Sequence, residues 1–180
     1  MAIINKNASR SFYALALARI FLGFIFLWAF VDKLFGLGFA TCRDKLDAVH
    51  IGCSQAWVHG GSPTMGFLTH ATSGPLHHVY MQLGTNHSGL IDWLFMLGLL
   101  VVGLGLTLGV FIRLATSVGA VMLLLMWSSL LWPSANPFVD EHIIYIFVLA
   151  TINLANSQQR LGLRGKWIKS QLVQKVPILE

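Results

Sequence analysis

Long apolar runs dominate the chain and determine its predicted elements. Three runs, Phe12–Phe35, Leu90–Phe111 and Leu114–Trp132, are close to or longer than the roughly 20 residues that a helix needs to cross a bilayer. A fourth run, 138–155, is long enough when Phe138 and Val139 are counted with it. No run alternates between apolar and polar residues as a β-barrel strand does. The pattern predicts an all-α, four-helix transmembrane bundle that forms one domain over residues 1–180.

The connection between the first two runs, residues 36–89, is long and partly apolar. Ser62 followed by Pro63 is typical of a helix start and predicts a short helix, Pro63–Thr72. Apolar residues at helical spacing predict a second one, Leu76–Leu83. Neither is long enough to span a membrane. We therefore expect this segment, called the lid, to cover one end of the bundle, where a ligand would bind.

Two later segments have patterns of their own. Asn136 and Pro137 are a favourable N-cap and first residue for the fourth helix. Residues 160–176 place Trp167 and Leu172 on one side and lysines elsewhere. This pattern predicts an amphipathic helix on the membrane surface, ended by Pro177, that anchors the chain or docks a soluble partner.

Charge indicates where the chain resides and how it is oriented. Only 11% of the residues are charged, against roughly a quarter in soluble domains, which excludes an ordinary soluble protein. Lys6, Arg10, Arg113 and the basic segment 160–176 fall on one side of the predicted spans. Because cytoplasmic loops are rich in Lys and Arg, we expect both termini in the cytoplasm of a prokaryote and the lid outside its inner (plasma) membrane. The net charge of +5 reflects this topology and indicates no nucleic-acid partner.

The two cysteines, Cys42 and Cys53, both lie in the lid. Outside the cytoplasm thiols tend to pair, which favours a structural disulfide between them. A redox-active pair and two free thiols remain alternatives. The Cys-x-x-Cys spacing of thioredoxin-type proteins is absent from the sequence.

Four ionisable residues are candidates for a site under the lid. Lys33 ends the first span, and Asp140, Glu141 and His142 begin the fourth on the same side. Charges at that depth face the bundle interior or water, and an apolar cover strengthens their mutual attraction. We predict that these four residues converge beneath the Pro63–Thr72 helix as a catalytic group. In the alternative, the acidic pair only stabilises the helix N-terminus and the four side chains point at headgroups.

Three stretches resemble a known family. They are ALARIFLGFIFLWAFVDKLFG, GSPTMGFLTHATSGPL and NPFVDEHIIY, and over roughly Arg19 to Leu154 the chain is similar to the DoxX/DoxD family of four-helix membrane proteins. Within this family, the chain resembles the DoxD-type subunits of thiosulfate:quinone oxidoreductases. The resemblance implies electron transfer from thiosulfate to a membrane quinone, giving tetrathionate, together with a second, DoxA-type subunit.

That chemistry suggests which residues bind the substrates. Thiosulfate needs cations, and a quinone head needs apolar walls with a few polar groups. The predicted substrate-binding residues are Arg19, Arg43, Lys45, His70, Trp28, Trp132 and Tyr145. Arg19 lies within the first span, where an ionised residue is costly, and snorkelling to headgroups is its alternative role. The sequence has no haem, iron–sulfur or flavin motif, and we predict no metal site.

Two other functions stay open at this stage. The chain could be a non-catalytic membrane subunit that stabilises or anchors a larger complex through its lid and its amphipathic tail. It could also carry a small solute, with Arg19 as the anchor. Quinone reduction that depends on thiosulfate separates the enzyme from both.

Overall fold

The computed structural model describes residues 2–44, 46–134 and 136–176, with side chains from residue 10 onward. The α-helices in this part are α1 (Ala2–Phe35), α2 (Met65–His70), α3 (His77–Asn86), α4 (Ser88–Leu108), α5 (Ile112–Ser129), α6 (Glu141–Leu154), α7 (Arg164–Trp167) and α8 (Gln171–Lys175). Two short 3₁₀ helices, Trp57–His59 and Asn156–Gln158, join them. The described residues contain no strand, only two isolated β-bridges, so the all-α prediction is confirmed.

Three helices are long and apolar enough to cross a membrane, namely α1 over Arg10–Phe35, α4 and α5. These correspond to the first three predicted spans. The fourth predicted span is a shorter apolar helix, α6, of 14 residues. The chain thus has the character of an integral membrane protein.

The long helices share one apolar core. α1 packs on α4, α4 on α5, and α5 on α6, and the buried core residues include Phe26, Met96, Val102 and Leu149. α1 and α4 approach closely because glycine replaces a side chain between them. A Cβ on Gly103 would lie 2.7 Å from the backbone nitrogen of Leu27, which is the kind of contact that small residues permit between membrane helices.

α6 begins later than the sequence predicts. The Asn136 side chain accepts hydrogen bonds from the N–H groups of Phe138 (3.0 Å) and Val139 (3.2 Å), but these close a local turn. Asp140 is extended and accepts from the N–H groups of His142 (3.0 Å) and Ile143 (3.3 Å). Asp140 is therefore the N-cap, and the expected start at Asn136–Pro137 is wrong.

The lid contains both short helices that the sequence predicts. The expected start at Ser62–Pro63 is wrong, because α2 begins at Met65 and Thr64 is its N-cap. The Ser62 hydroxyl accepts a hydrogen bond from the N–H of Met65 at 3.1 Å and belongs to the turn before the helix. α2 ends at His70, earlier than predicted, and α3 extends further, to Asn86. The Cys42–Cys53 disulfide is present, which confirms the preferred pairing.

The segment 160–176 is not one amphipathic helix. It forms two short helices, α7 and α8, and Ser170 between them is extended and caps α8 through the N–H of Val173 at 3.4 Å. Trp167 lies edge-on to Phe111, with ring centroids 5.7 Å apart. The segment therefore folds back onto the turn between α4 and α5, and that end of the molecule is called the tail end. Pro177 lies outside the described residues.

Candidate functional site

A cavity of about 1230 Å³ lies between the lid and the helices α4 and α5. Its walls are mainly apolar. The apolar wall includes Leu94, Phe95, Gly98, Val121, Met122 and Leu125, and the polar residues in the wall include Lys33, Thr64, His70 and Tyr80. A mostly apolar pocket with a few polar groups is typical of a binding site for a small lipophilic molecule.

One side of this cavity opens between α4 and α5. Leu94, Val121 and Leu125 line the cavity, yet they are 64%, 58% and 53% exposed. All three belong to helices that are apolar enough to cross a membrane. The opening thus lies on the apolar surface of the molecule, below the lid.

Lys33 contributes the cation in the cavity wall. It lies in the last turn of α1, and its Nζ is 6.0 Å from the centroid of the Phe95 ring. The neighbouring Asp32 is 1% exposed, and its carboxylate accepts hydrogen bonds from the N–H groups of Phe39 (3.0 Å) and Ala40 (2.9 Å). Among the described residues, no carboxylate lies within 4.0 Å of the Lys33 ammonium group. This cation therefore remains available to a ligand.

Polar contacts hold the lid over the cavity. Asp92, near the start of α4, accepts hydrogen bonds from the N–H and the hydroxyl of Thr64. The Tyr80 hydroxyl in α3 lies 2.6 Å from the Ser128 hydroxyl in α5 and donates to the carbonyl of Leu125 at 3.1 Å. Sequence reasoning missed Asp92. An acidic residue inside an otherwise apolar run was the available signal.

The predicted catalytic group is only partly brought together. Asp140 and His142 form a close pair, with Asp140 Oδ2 2.8 Å from His142 Nδ1, and Glu141 beside them is exposed. The possible ligand atoms of these three residues lie within 4.8 Å of one another. None of the three lines the cavity that contains Lys33. Asp140, Glu141 and His142 thus form a cluster of their own at the start of α6, and their convergence with Lys33 under the lid stays a prediction.

Arg19 lies at the tail end, away from the lid. Its side chain is 1% exposed. Its Nη atoms donate to the carbonyls of Leu106, Thr107 (3.4 Å), Arg160 (3.3 Å) and Leu161 (2.6 Å). Its guanidinium group joins the end of α4 to the segment after α6 and does not line the cavity under the lid. A role of Arg19 in binding substrate stays a prediction.

His70 is the one member of the predicted substrate-binding set, among the described residues, that lines the cavity. Its Nδ1 lies 2.6 Å from the Thr69 hydroxyl. Trp28 packs edge-on to Phe39 at 5.0 Å, outside the cavity wall. Two further aromatic residues also lie outside it. Trp132 packs on Phe138 at 6.0 Å, and Tyr145 packs against the core.

The remaining predicted cations belong to the loop closed by the disulfide, residues 42–53. Arg43 donates to the carbonyl of Gly38 at 2.9 Å and lies 3.4 Å from the carboxylate of Asp47. It is exposed and does not line the cavity. Lys45 lies outside the described residues.

No protein-family model, curated protein or solved structure matches the chain. The cavity, its cation and its lateral opening are therefore the basis for assigning a function.

Proposed function

We propose that the protein is the membrane subunit of an oxidoreductase that passes electrons from a small sulfur anion, thiosulfate, to a membrane quinone. The quinone binds in the cavity under the lid. The observation that carries this proposal is a lysine ammonium group in the wall of a large apolar cavity, with no described carboxylate within 4.0 Å of it. The resemblance to the DoxX/DoxD family supports the choice of reaction.

The shape of the cavity suits an amphipathic ligand. Its polar groups, including Lys33 and His70, lie toward the lid, and its apolar wall follows α4 and α5 toward the lateral opening. A quinone head would accept a hydrogen bond from Lys33, and its isoprenoid tail would lie along Gly98 and Met122. Because Gly98 has no side chain, Met122 packs directly against α4, with its sulfur only 2.5 Å from the position of an added Cβ.

The proposed reaction balances without a further redox group. Two thiosulfate ions form the sulfur–sulfur bond of tetrathionate and release two electrons. The quinone takes up these electrons with two protons and leaves as quinol. Exposed His70 in the cavity wall is the proposed entry point for the protons. Asp140, Glu141 and His142 are assigned no part in quinone binding.

In this proposal α6 is the fourth membrane span, and the lid faces the outside of a prokaryotic inner membrane. A helix of 14 residues is about 21 Å long at 1.5 Å per residue. This is shorter than the roughly 30 Å of the hydrocarbon core, so α6 spans with local thinning of the bilayer. The cations of the tail end support a cytoplasmic location for both termini.

Binding of quinone to the purified protein in nanodiscs tests the proposal. A short-chain ubiquinone analogue should bind saturably, and Lys33→Met should weaken its binding about tenfold, equivalent to the loss of one charge-assisted hydrogen bond. Arg113→Met removes an exposed cation of the tail end and should leave the affinity unchanged. No saturable binding, or equal binding by wild type and Lys33→Met, would overturn the assignment of the cavity. Turnover is measured with thiosulfate, with and without a candidate second subunit.

A non-catalytic subunit of a larger complex is the second candidate, and the surface of the lid favours it. Leu46, Ile51 and Phe39 are 89%, 73% and 62% exposed. Apolar residues grouped on a surface outside the spanning helices are typical of a protein interface, here for a second, DoxA-like subunit. A Leu46→Ser/Ile51→Ser variant should lose the partner while keeping quinone binding. If the complex forms but never reduces quinone, the non-catalytic function is the correct one.

A further inference from the structure

Charge is strongly segregated between the two ends of the molecule. All the described acidic residues lie in the lid or at helix ends beside it. They are Asp32, Asp44, Asp47, Asp92, Asp140 and Glu141. The tail end holds Arg19, Arg113 and Arg160 but no acidic residue within the described chain. None of the described acidic side chains is therefore in a position to be the counter-ion of the buried Arg19.

Arg19 has an unsatisfied donor. Its Nη atoms donate to backbone carbonyls, which are neutral, whereas its buried Nε has no partner. Beside it, both polar atoms of the Gln159 side chain are also buried without a partner. The two groups are close, because a Cβ on Gly109 would lie 2.9 Å from Arg19 Nη1 and 2.3 Å from Gln159 Nε2. Buried unpaired polar groups cost about 1–3 kcal/mol each, so a bound acceptor would relieve both donors.

A crevice leads to these groups from the surface of the molecule. It encloses about 20 Å³ and is partly open, so its inner end has room for about one oxygen-sized group. Phe12 and Leu15 of α1 and Ile152 of α6 form its apolar walls, and Arg160 lies in its lining with an exposed side chain. Arg19 bonds to carbonyls at the C-terminal end of α4 and beyond α6, so the crevice lies at the level where these helices end.

We propose that this crevice binds the headgroup of an anionic phospholipid. One phosphate oxygen accepts from Arg19 Nε and Gln159 Nε2, Arg160 faces the remaining oxygens, and an acyl chain lies against Phe12, Leu15 and Ile152. Basic pockets between membrane helices bind anionic lipid headgroups in this way. The site is separate from the quinone cavity and independent of the proposed reaction.

Thermal unfolding in a neutral detergent tests the site, with phosphatidylglycerol, phosphatidylcholine, sodium phosphate or sodium chloride added at equal ionic strength. Phosphatidylglycerol should raise the Tm of the wild-type protein by about 5 °C at saturation, and the other three additives should raise it by less than about 1 °C. Arg160→Gln and Gln159→Leu should each lose at least about half of this increase. Arg113→Gln removes an equal charge from the tail end, outside the crevice, and should keep all of it.

Three results would overturn the proposal. Equal stabilisation by phosphatidylglycerol and phosphatidylcholine would mean that the crevice does not recognise an anion. A full effect of phosphate or chloride alone would assign the crevice to a small ion. Equal losses in Arg160→Gln and Arg113→Gln would mean that the stabilisation depends only on the general surface charge.

Arg19→Lys provides a further check because it keeps the charge and removes the Nε donor. A folded Arg19→Lys protein should therefore be stabilised by phosphatidylglycerol less than the wild type is.

Discussion

Asp92 Oδ1 in α4 accepts two hydrogen bonds from Thr64, one from its backbone N–H at 3.0 Å and one from its hydroxyl at 2.6 Å. The two residues are 5% and 6% exposed. Thr64 directly precedes α2, and it lines the large cavity. This contact therefore holds the start of α2 against α4 and determines where the lid covers the cavity.

Asp92→Ala should loosen the lid without unfolding the bundle. The change removes an acceptor and leaves the Thr64 donors buried and unpaired, at a cost of about 2–3 kcal/mol. Hydrogen exchange of residues 64–70 should accelerate, while exchange in the core of α4 stays slow. Asp47→Ala removes an exposed acidic residue elsewhere in the lid and is the matched control. Equal exchange in both variants would show that Asp92 does not hold the lid.

Gly103→Ala should separate α1 from α4. The added methyl would lie 2.7–2.9 Å from the backbone nitrogen, Cα and Cβ of Leu27, and a backbone cannot move aside as a flexible side chain can. We expect a loss of about 3 kcal/mol, at the upper end for overpacking, measured as a lower Tm. Gly89→Ala lies in the same helix with no atom within 4 Å of the added Cβ. It should be neutral or slightly stabilising, and similar losses in the two variants would refute the close contact.

The Cys42–Cys53 disulfide should stabilise the lid. It closes a loop with a sequence separation of 11 residues. In the entropic model, closing a loop of this size lowers the conformational entropy of the unfolded chain and raises the free energy of unfolding by about 3 kcal/mol. The double variant Cys42→Ser/Cys53→Ser should unfold at lower temperature than the oxidised protein and match the reduced one. Mass spectrometry of the untreated protein should find the two cysteines in one cross-linked peptide pair. Two alkylatable thiols in that sample would contradict the bond.

Acid should disorder the disulfide loop by protonating Asp44. The pKa of this carboxyl is held below its ordinary value of 3.8 by hydrogen bonds from the N–H groups of Ala48 and Leu46 and by His50. Because the folded pKa is lowered, the stabilisation is fully present above pH 3.8 and is lost as the pH falls through the folded pKa.

NMR of the Ala48 and Leu46 amides measures this transition. Their protection from exchange, measured relative to the intrinsic rate at each pH, should fall below pH 3.8 in wild type and in Asp47→Asn, which keeps both hydrogen bonds. In Asp44→Ala, which removes the acceptor oxygen, the protection should already be low at neutral pH and change little with acid. A wild-type profile that matches Asp44→Ala would contradict the role of Asp44.

The sequence predicts the long helices well because burial in lipid requires continuous apolar runs, and such runs are visible without knowing the fold. The same holds for the cysteine pair, whose members are close in sequence. The exact residue at which a helix starts is harder to predict from the sequence. Asn136 and Asp140 both have N-cap chemistry, and only the backbone conformation decides that the second starts α6.

The cavity could not be predicted in the same way. Its walls combine the end of α1, the lid, α4 and α5, and the hydrogen bonds between Thr64 and Asp92 join residues 28 positions apart. Periodicity in the sequence does not predict contacts between such distant residues. Arg19 and Lys33 share a face of α1, as their spacing of fourteen residues indicates, yet their partners lie at opposite ends of the bundle. Sharing a face of one helix does not place two residues in one site.

The partners of Arg19 also bear on how the chain is made. Its guanidinium group bonds to carbonyls 87 and 142 positions further along the chain, at Leu106 and Leu161. A protein is synthesised from its N-terminus, so α1 enters the membrane before either carbonyl exists. During translation this cation must stay hydrated or interact with lipid phosphates until Arg160 and Leu161 supply its remaining acceptors. A nascent chain stopped at Leu154 would hold Arg19 by the carbonyls of α4 alone.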